Sequence, residues 1–128
     1  DGLTPHIFFD LCMAKSLPWE FDNIKNFIRD GDGCVVLGFI RYEFSVDDNL
    51  YQFITEYNHF EGAIAIAYDV PLLVIHEDGA SERGILYKPK AAHPNVIQAA
   101  PFPHFAAPTW FNTDPSFSHD YANWLNQL

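Results

Sequence analysis

Glu61 to Glu77 reads EGAIAIAYDVPLLVIHE, and this stretch decides the fold. Its first half, to Ala67, is the end of a helix built of small residues. Its second half, Pro71 to His76, is a run of apolar residues of the length and branching of a buried strand. Tyr68-Asp69-Val70-Pro71 stops the one and starts the other. Upstream, Leu50, Phe53, Ile54, Tyr57, Phe60, Ile64 and Tyr68 recur at three- and four-residue steps. That spacing predicts one long helix, started by Ser45 or Asp47 and bent or split at Gly62. A helix running through a tight turn into a buried strand is half of a parallel βαβ unit.

The other half lies to the N-terminal side. Cys34 to Phe39, CVVLGF, is a continuous apolar run between turn signals, which predicts a parallel strand covered on both faces. Gly38 leaves room near its end for a close approach. Ile40 to Phe44 reads as a loop or an extension of the strand. Before it, Asp30-Gly31-Asp32-Gly33 is a dense turn signal. This turn ends a helix with the stripe Trp19, Ile24, Phe27 and Ile28, capped by Ser16 with Pro18 just inside. Thr4-Pro5 opens an earlier helix carrying Ile7, Phe8, Leu11 and Cys12; a short strand over His6 to Leu11 is the rival reading.

On the C-terminal side, Glu77 to Gly84 is a loop and Ile85 to Tyr87 a brief strand. Lys88 to Pro94 is irregular, and Asn95 to Ala99 is a third parallel strand. Pro101 to Thr113, rich in proline and aromatic residues, is expected to wrap the surface as an ordered loop. Asp114-Pro115 begins a last helix with Phe117, Tyr121, Trp124, Leu125 and Leu128 as its apolar residues.

These elements predict a single α/β domain over residues 1–128, with a mostly parallel sheet flanked by helices. In such sheets ligands bind outside the carboxyl ends of the strands. Gly38 to Phe44 and the loop after His76 are therefore expected at the mouth of any site. Three strands make a thin sheet. Either one or two N-terminal strands are missing, or a second copy or partner domain covers the exposed edge. The chain begins Asp1-Gly2 with no Met, which reads as a fragment of a longer chain, a processed product or a trimmed start.

Seventeen acidic residues against seven basic ones give a net charge of −10. A field of that sign repels phosphate backbones and anionic bilayers, so nucleic acid and membrane surfaces are not expected as partners. A small nucleotide is compatible, because one or two arginines bind phosphate locally. Cys12 and Cys34 read as buried small hydrophobes and not as a disulfide pair, which fits a reducing, cytoplasmic setting. No run approaches the ~20 apolar residues of a membrane span.

Glu61 is the first chemical candidate. The residues after it are small or apolar, and carboxylates are seldom placed on such a face without a purpose. A carboxylate beside a cleft can stabilise or capture an oxocarbenium-like carbon at a sugar C1. The plain alternative is an exposed helical glutamate. Glu43, Asp10 and Glu56 are possible second acids, with no spacing to rank them. Arg41 follows the strand end and either holds an anionic part of a ligand or pairs with Glu43 or Asp47. Tyr42 or Phe39 can stack on a base or nicotinamide, or pack in the core. Tyr57 and Asn58, one turn before Glu61, can position the sugar or base. The histidines share no metal-ligand spacing, and no metal site is expected. His59 and His76 fall near the mouth, as proton carriers or as structural histidines. Neither a Gly-x-Ser-x-Gly elbow nor a phosphate loop is present.

Ile24 to Phe39, IKNFIRDGDGCVVLGF, followed by Phe60 to Gly79, FEGAIAIAYDVPLLVIHEDG, resembles the core of the nucleoside 2-deoxyribosyltransferase and TIR-like superfamily. The resemblance covers under half of the chain. It implies a flavodoxin-like (Rossmann-like) fold and hydrolysis or transfer at the N-glycosidic bond of a nucleoside, nucleotide or NAD. The family's glutamate maps onto Glu61. The expected substrate-binding set, read from the strand end and the helix turn before Glu61 and not from the family, is Gly38, Phe39, Arg41, Tyr42, Tyr57 and Asn58. No resident cofactor is implied; NAD or a nucleotide would be substrate. The family's first strand and its loop are not recognisable here. Residues 41–59 lack the usual Asp-x-Gly or Ser-x-Trp approach to the glutamate. A non-catalytic nucleotide-sensing or assembly module of the same fold is the second expectation.

Overall fold

The strand that ends the Glu61–Glu77 stretch is buried at every residue. In the computed structural model, which describes residues 2–7, 20–87, 93–104 and 108–128, that strand is the centre of a three-stranded parallel sheet. β1 (Cys34–Gly38) lies on one side, with Cys34 opposite Leu72 and Gly38 opposite His76. Two antiparallel strands, β2 (Tyr42–Val46) and β3 (Asn49–Phe53), follow β1 in the chain and pair only with each other. The central strand is β4 (Leu72–His76), and β5 (Val96–Gln98) pairs along its other side, parallel, with Leu72 opposite Val96. The sheet order is β1-β4-β5. The expected helix through Ile7 and Cys12, its rival strand, the Ser16 cap and most of Lys88 to Pro94 fall largely outside the described residues.

β4 reads as unbroken hydrophobic sequence because each of its faces meets a separate core. Leu72 and Val74 join Val36 of β1 with Ile24 and Ile28 of α1 (Phe21–Arg29) and Ile64 and Ala65 of α2 (Glu56–Ala67). Leu73 and Ile75 face the other way, onto Ala99, Phe102, and Phe117 and Trp124 of the C-terminal helix. Two short elements complete that side: α3 (Trp110–Thr113) and α4 (Pro115–Leu125). Asp114 caps α4 by accepting the Phe117 N–H at 2.7 Å, with Pro115 in the first turn. Trp124 Nε1 donates to the Pro71 carbonyl at 3.0 Å and ties α4 to the start of β4. In the described part of the proline-rich wrap, Phe102 is buried and forms a parallel bridge with Glu77.

Four expectations need correction. The long helix does not begin at Ser45 or Asp47. Residues 42–53 form the β2–β3 hairpin, and the helix starts at Glu56, where Thr55 Oγ1 accepts the Asn58 N–H. The alternation of Tyr42, Phe44 and Val46 on one strand with Tyr51 and Phe53 on the other carries a period of two. Asp47 and Asp48 both take positive φ, 49° and 64°, as the two-residue turn of a twisted hairpin requires. Gly62 neither bends nor splits α2. It is buried where a Cβ would stand 2.6 Å from Ile85 Cγ2, so it lets residues 84–86 dock against the helix. Those residues form a 3-10 turn, Gly84–Leu86, and not a strand. Lastly, β1 is covered on one face only: Val35, Leu37 and the following Phe39 are 44%, 48% and 44% exposed. Among the described residues β1 pairs with β4 alone, which leaves its outer edge open. No helix among the described residues is long and apolar enough to cross a membrane.

Candidate functional site

The carboxyl ends of β1 and β4 gather several of the expected residues. Gly38 lies under the core: a Cβ there would meet Ile54 at 3.0 Å and His76 at 3.3 Å, so the close approach it permits is that of protein side chains. Phe39 sits edge-on to Phe102, ring centres 5.3 Å apart. Asn58, in the first turn of α2, donates to the Leu37 carbonyl at 3.2 Å and so fastens the helix to the end of β1. Arg41 is exposed, its backbone N–H held by the Phe53 carbonyl at 2.9 Å. Tyr42 begins β2 and Tyr57 lies in the first turn of α2; both rings are about half exposed.

Glu61 lies three residues beyond Asn58, about 4.5 Å further along the helix axis. It is half-buried, and burial raises its carboxyl pKa above the ordinary value. The carboxyl makes no hydrogen bond or ion pair with a described residue, Arg41 included. Its charge is felt instead by Cys34, at the amino end of β1: burial, and then Glu61, push that thiol up to about 12. Glu61 and Arg41 are therefore separate features, one half-buried on α2 and one exposed after β1.

A buried acid that the sequence reading left in a loop occupies the mouth. Glu77 is 5% exposed, directly after β4. Its Oε2 accepts the Ile40 N–H at 2.9 Å, and its Oε1 faces Nδ1 of His104 within hydrogen-bonding distance. A carboxylate only accepts, so Nδ1 carries the hydrogen of that bond. The carboxylate thus links three segments: the end of β1, the end of β4 and the proline-rich wrap. Side chains alternate along β4, so His76 points to the opposite face. Its Nδ1 lies 3.1 Å from the Glu77 carbonyl and its Nε2 3.1 Å from the Gln98 amide nitrogen. Both ring nitrogens are thus engaged by protein groups. His59 is engaged at one. Its Nδ1 accepts the Ile85 N–H at 3.3 Å, and burial, with the Arg83 charge, lowers its pKa. Its Nε2 is buried with no hydrogen-bond partner among the described residues.

An open apolar groove of about 530 Å³ runs elsewhere, between α1 and α2, lined by Phe21, Lys25, Phe60 and Tyr68 among others. None of the mouth residues lines it. Among the described residues no cluster of three His, Cys, Asp or Glu could hold a metal ion. No family model, curated protein or solved structure matches this chain.

Proposed function

We propose that this protein is a hydrolase or transferase acting on the N-glycosidic bond of a nucleoside, nucleotide or NAD, on a flavodoxin-like sheet, with Glu61 at the ribosyl C1. The observation that carries this reading is the half-buried Glu61 carboxyl, which has no hydrogen-bond or ion-pair partner among the described residues. Desolvation without compensation leaves a carboxylate at high energy. A cation developing beside it is stabilised more than the ground state is, which is the differential binding that lowers a barrier. Departure of a base from a ribosyl carbon develops that cation. The carboxylate then either captures it or shields it until water or an acceptor alcohol arrives. The resemblance of Ile24 to Phe39 and Phe60 to Gly79 to the deoxyribosyltransferase and TIR-like group supports the same residue.

The test is turnover of NAD and a nucleoside panel by the protein and by Glu61→Gln. The expected result is loss of turnover in a variant that melts no lower than the parent. Retained turnover in a folded Glu61→Gln preparation would remove Glu61 from the reaction.

A second reading has its own observation. The open edge of β1 and its half-exposed Val35, Leu37 and Phe39 suit a non-catalytic nucleotide-sensing or assembly module completed by a partner domain or a second copy. Nucleotide binding with no product by mass spectrometry, from a preparation shifted to a larger species on sizing, would favour it.

A further inference from the structure

We infer that His59 is an acid-sensitive latch: its neutral ring holds the Gly84–Leu86 turn against α2, and protonation of the ring lets that turn go. The latch does not depend on the glycosidic reading.

Three contacts seat the turn. Ile85 packs into the space left by Gly62, where a Cβ would stand 2.6 Å from its Cγ2. Leu86, 1% exposed, enters the core that holds Ile54 and Ile64. The third contact is polar: the Ile85 N–H donates to Nδ1 of His59 at 3.3 Å. His59 and Gly62 are three residues apart and share a face of the helix. Gly84 comes so close to the ring that a Cβ on it would overlap Nδ1, which leaves no slack between ring and turn.

The polar contact fixes the charge state of the ring. Nδ1 accepts, so the hydrogen of the neutral ring is on Nε2. That nitrogen is buried and has no partner among the described residues. A second proton has only Nδ1 to go to, where it would meet the Ile85 N–H donor to donor. The imidazolium would then hold two N–H groups and no acceptor, and a buried charged donor without an acceptor is costly. The surroundings act in the same direction. Burial is the main cause that lowers the His59 pKa, and the Arg83 charge, one residue before the turn, is the next. Glu56, one turn earlier on α2, opposes them more weakly. The other elements packed on α2, namely α1, β1 and β4, bring no charged group that shifts the ring.

Release of the turn removes these penalties together, since the ring reaches water and Arg83 moves off with the segment. Just upstream, the Ser81 N–H donates to the Gln52 carbonyl at 2.7 Å. That anchor to β3 does not involve the ring, so the opening is confined to the residues after it. The released ring has the ordinary value of 6.5 and the latched ring a lower one. As pH falls through 6.5, the released form takes up a proton that the latched form refuses. The latch therefore weakens with acid until the lower value is passed. Between pH 7.5 and 5 the ratio of released to latched molecules can grow by at most about thirtyfold, the limit for a latched ring that stays neutral.

The test is amide hydrogen exchange of the full chain by NMR at pH 7.5, 6 and 5, each rate divided by that of the same amide in an unstructured peptide. Protection of Ile85 and Leu86 is expected to fall by more than about threefold from pH 7.5 to 5, up to that thirtyfold limit, while Val74 in β4 keeps its protection. His59→Asn keeps an acceptor near the place of Nδ1, has a similar helix propensity and cannot take up the proton. It is expected to flatten the pH profile of Ile85 and Leu86. A smaller fall in the parent, a fall shared equally by Val74, or the same fall in His59→Asn would overturn the inference.

Discussion

The Glu77 carboxylate accepts the backbone N–H of Ile40 at 2.9 Å, across the carboxyl ends of two neighbouring parallel strands. Regular pairing ends just before it, where Glu77 N–H still donates to the Gly38 carbonyl at 2.9 Å. One residue therefore closes the ladder with its backbone and secures the next segment with its side chain. Replacing it with alanine leaves the Ile40 N–H without that acceptor and opens space beside Phe102. The expected cost is about 1–3 kcal/mol, the range for a buried polar group deprived of its partner. Urea unfolding reads this as a lower midpoint at constant slope. A change below about 0.5 kcal/mol, the range of ordinary surface substitutions, would mean that the bond contributes nothing to holding the mouth together.

Glu61 predicts the opposite sign. Burial raises its pKa in the folded protein above the ordinary 4.5. The unfolded chain therefore releases this proton at lower pH than the folded one does. Below about 4.5 the group has no effect on stability. As pH climbs from there through the raised folded pKa, the folded state loses stability; above it the penalty stays constant. Glu61→Gln carries no such penalty. The expected result is a variant that gains stability relative to the parent across that window, compared at matched pH values by thermal melts. A variant less stable than the parent at neutral pH would point to a stabilising partner for the carboxylate.

Burial beside Glu61 makes Cys34 inert as well. Its thiol is pushed up to about 12 by burial first and the Glu61 charge second. The thiolate is the reactive form, so almost none is present at pH 8. Folded protein treated with iodoacetamide at that pH is expected to leave the Cys34 peptide unmodified by mass spectrometry, and guanidinium to expose it to alkylation. Glu61→Gln removes one of the two causes and is expected to speed the residual reaction slightly. Fast labelling of Cys34 in the native protein would show that this end of β1 opens readily.

How much of this was legible in the sequence depends on whether each signal is local. Leu72 to His76 and Cys34 to Gly38 were readable because an apolar run between turn signals has few other structural uses. The Asp114-Pro115 start of α4 was readable because cap and proline are adjacent. The β2–β3 hairpin was not. Leu50, Phe53, Ile54 and Tyr57 satisfy a helical period that masks the two-residue alternation of Tyr51 and Phe53, and the Asp47-Asp48 turn lacks the glycine that usually marks a hairpin. Nor was the bond between Glu77 and His104, which spans 27 positions through a proline-rich segment with no periodicity to follow. Its one visible trace was an acid placed directly after the most apolar strand of the chain. Glu61 stood out for its neighbours' small size. Its distance from Arg41 depends on how far α2 descends along β1, which no local pattern encodes.

The hairpin turn offers a test in which helix and hairpin predict different signs. Asp48 sits at φ 64°. A β-branched residue is strained there by about 1–2 kcal/mol, the cost of left-handed backbone for an ordinary side chain. Glycine fits without strain. In the first turn of a helix the order reverses: valine and aspartate have similar propensities, and glycine is the worse replacement by up to about 1 kcal/mol. Asp48→Val is therefore expected to lower the melting temperature while Asp48→Gly leaves it equal or higher. The hairpin's aromatic face reports the same event. Phe44 packs 5.2 Å from Phe53 and 5.9 Å from Tyr51, so near-ultraviolet dichroism should weaken in the valine variant and persist in the glycine one. Because β3 runs directly into Ile54 and the Thr55 cap of α2, a loosened turn also loosens the approach to Asn58 and Glu61. The valine variant is thus expected to lose ligand affinity along with stability, whereas a helix at residues 47–53 would leave both untouched.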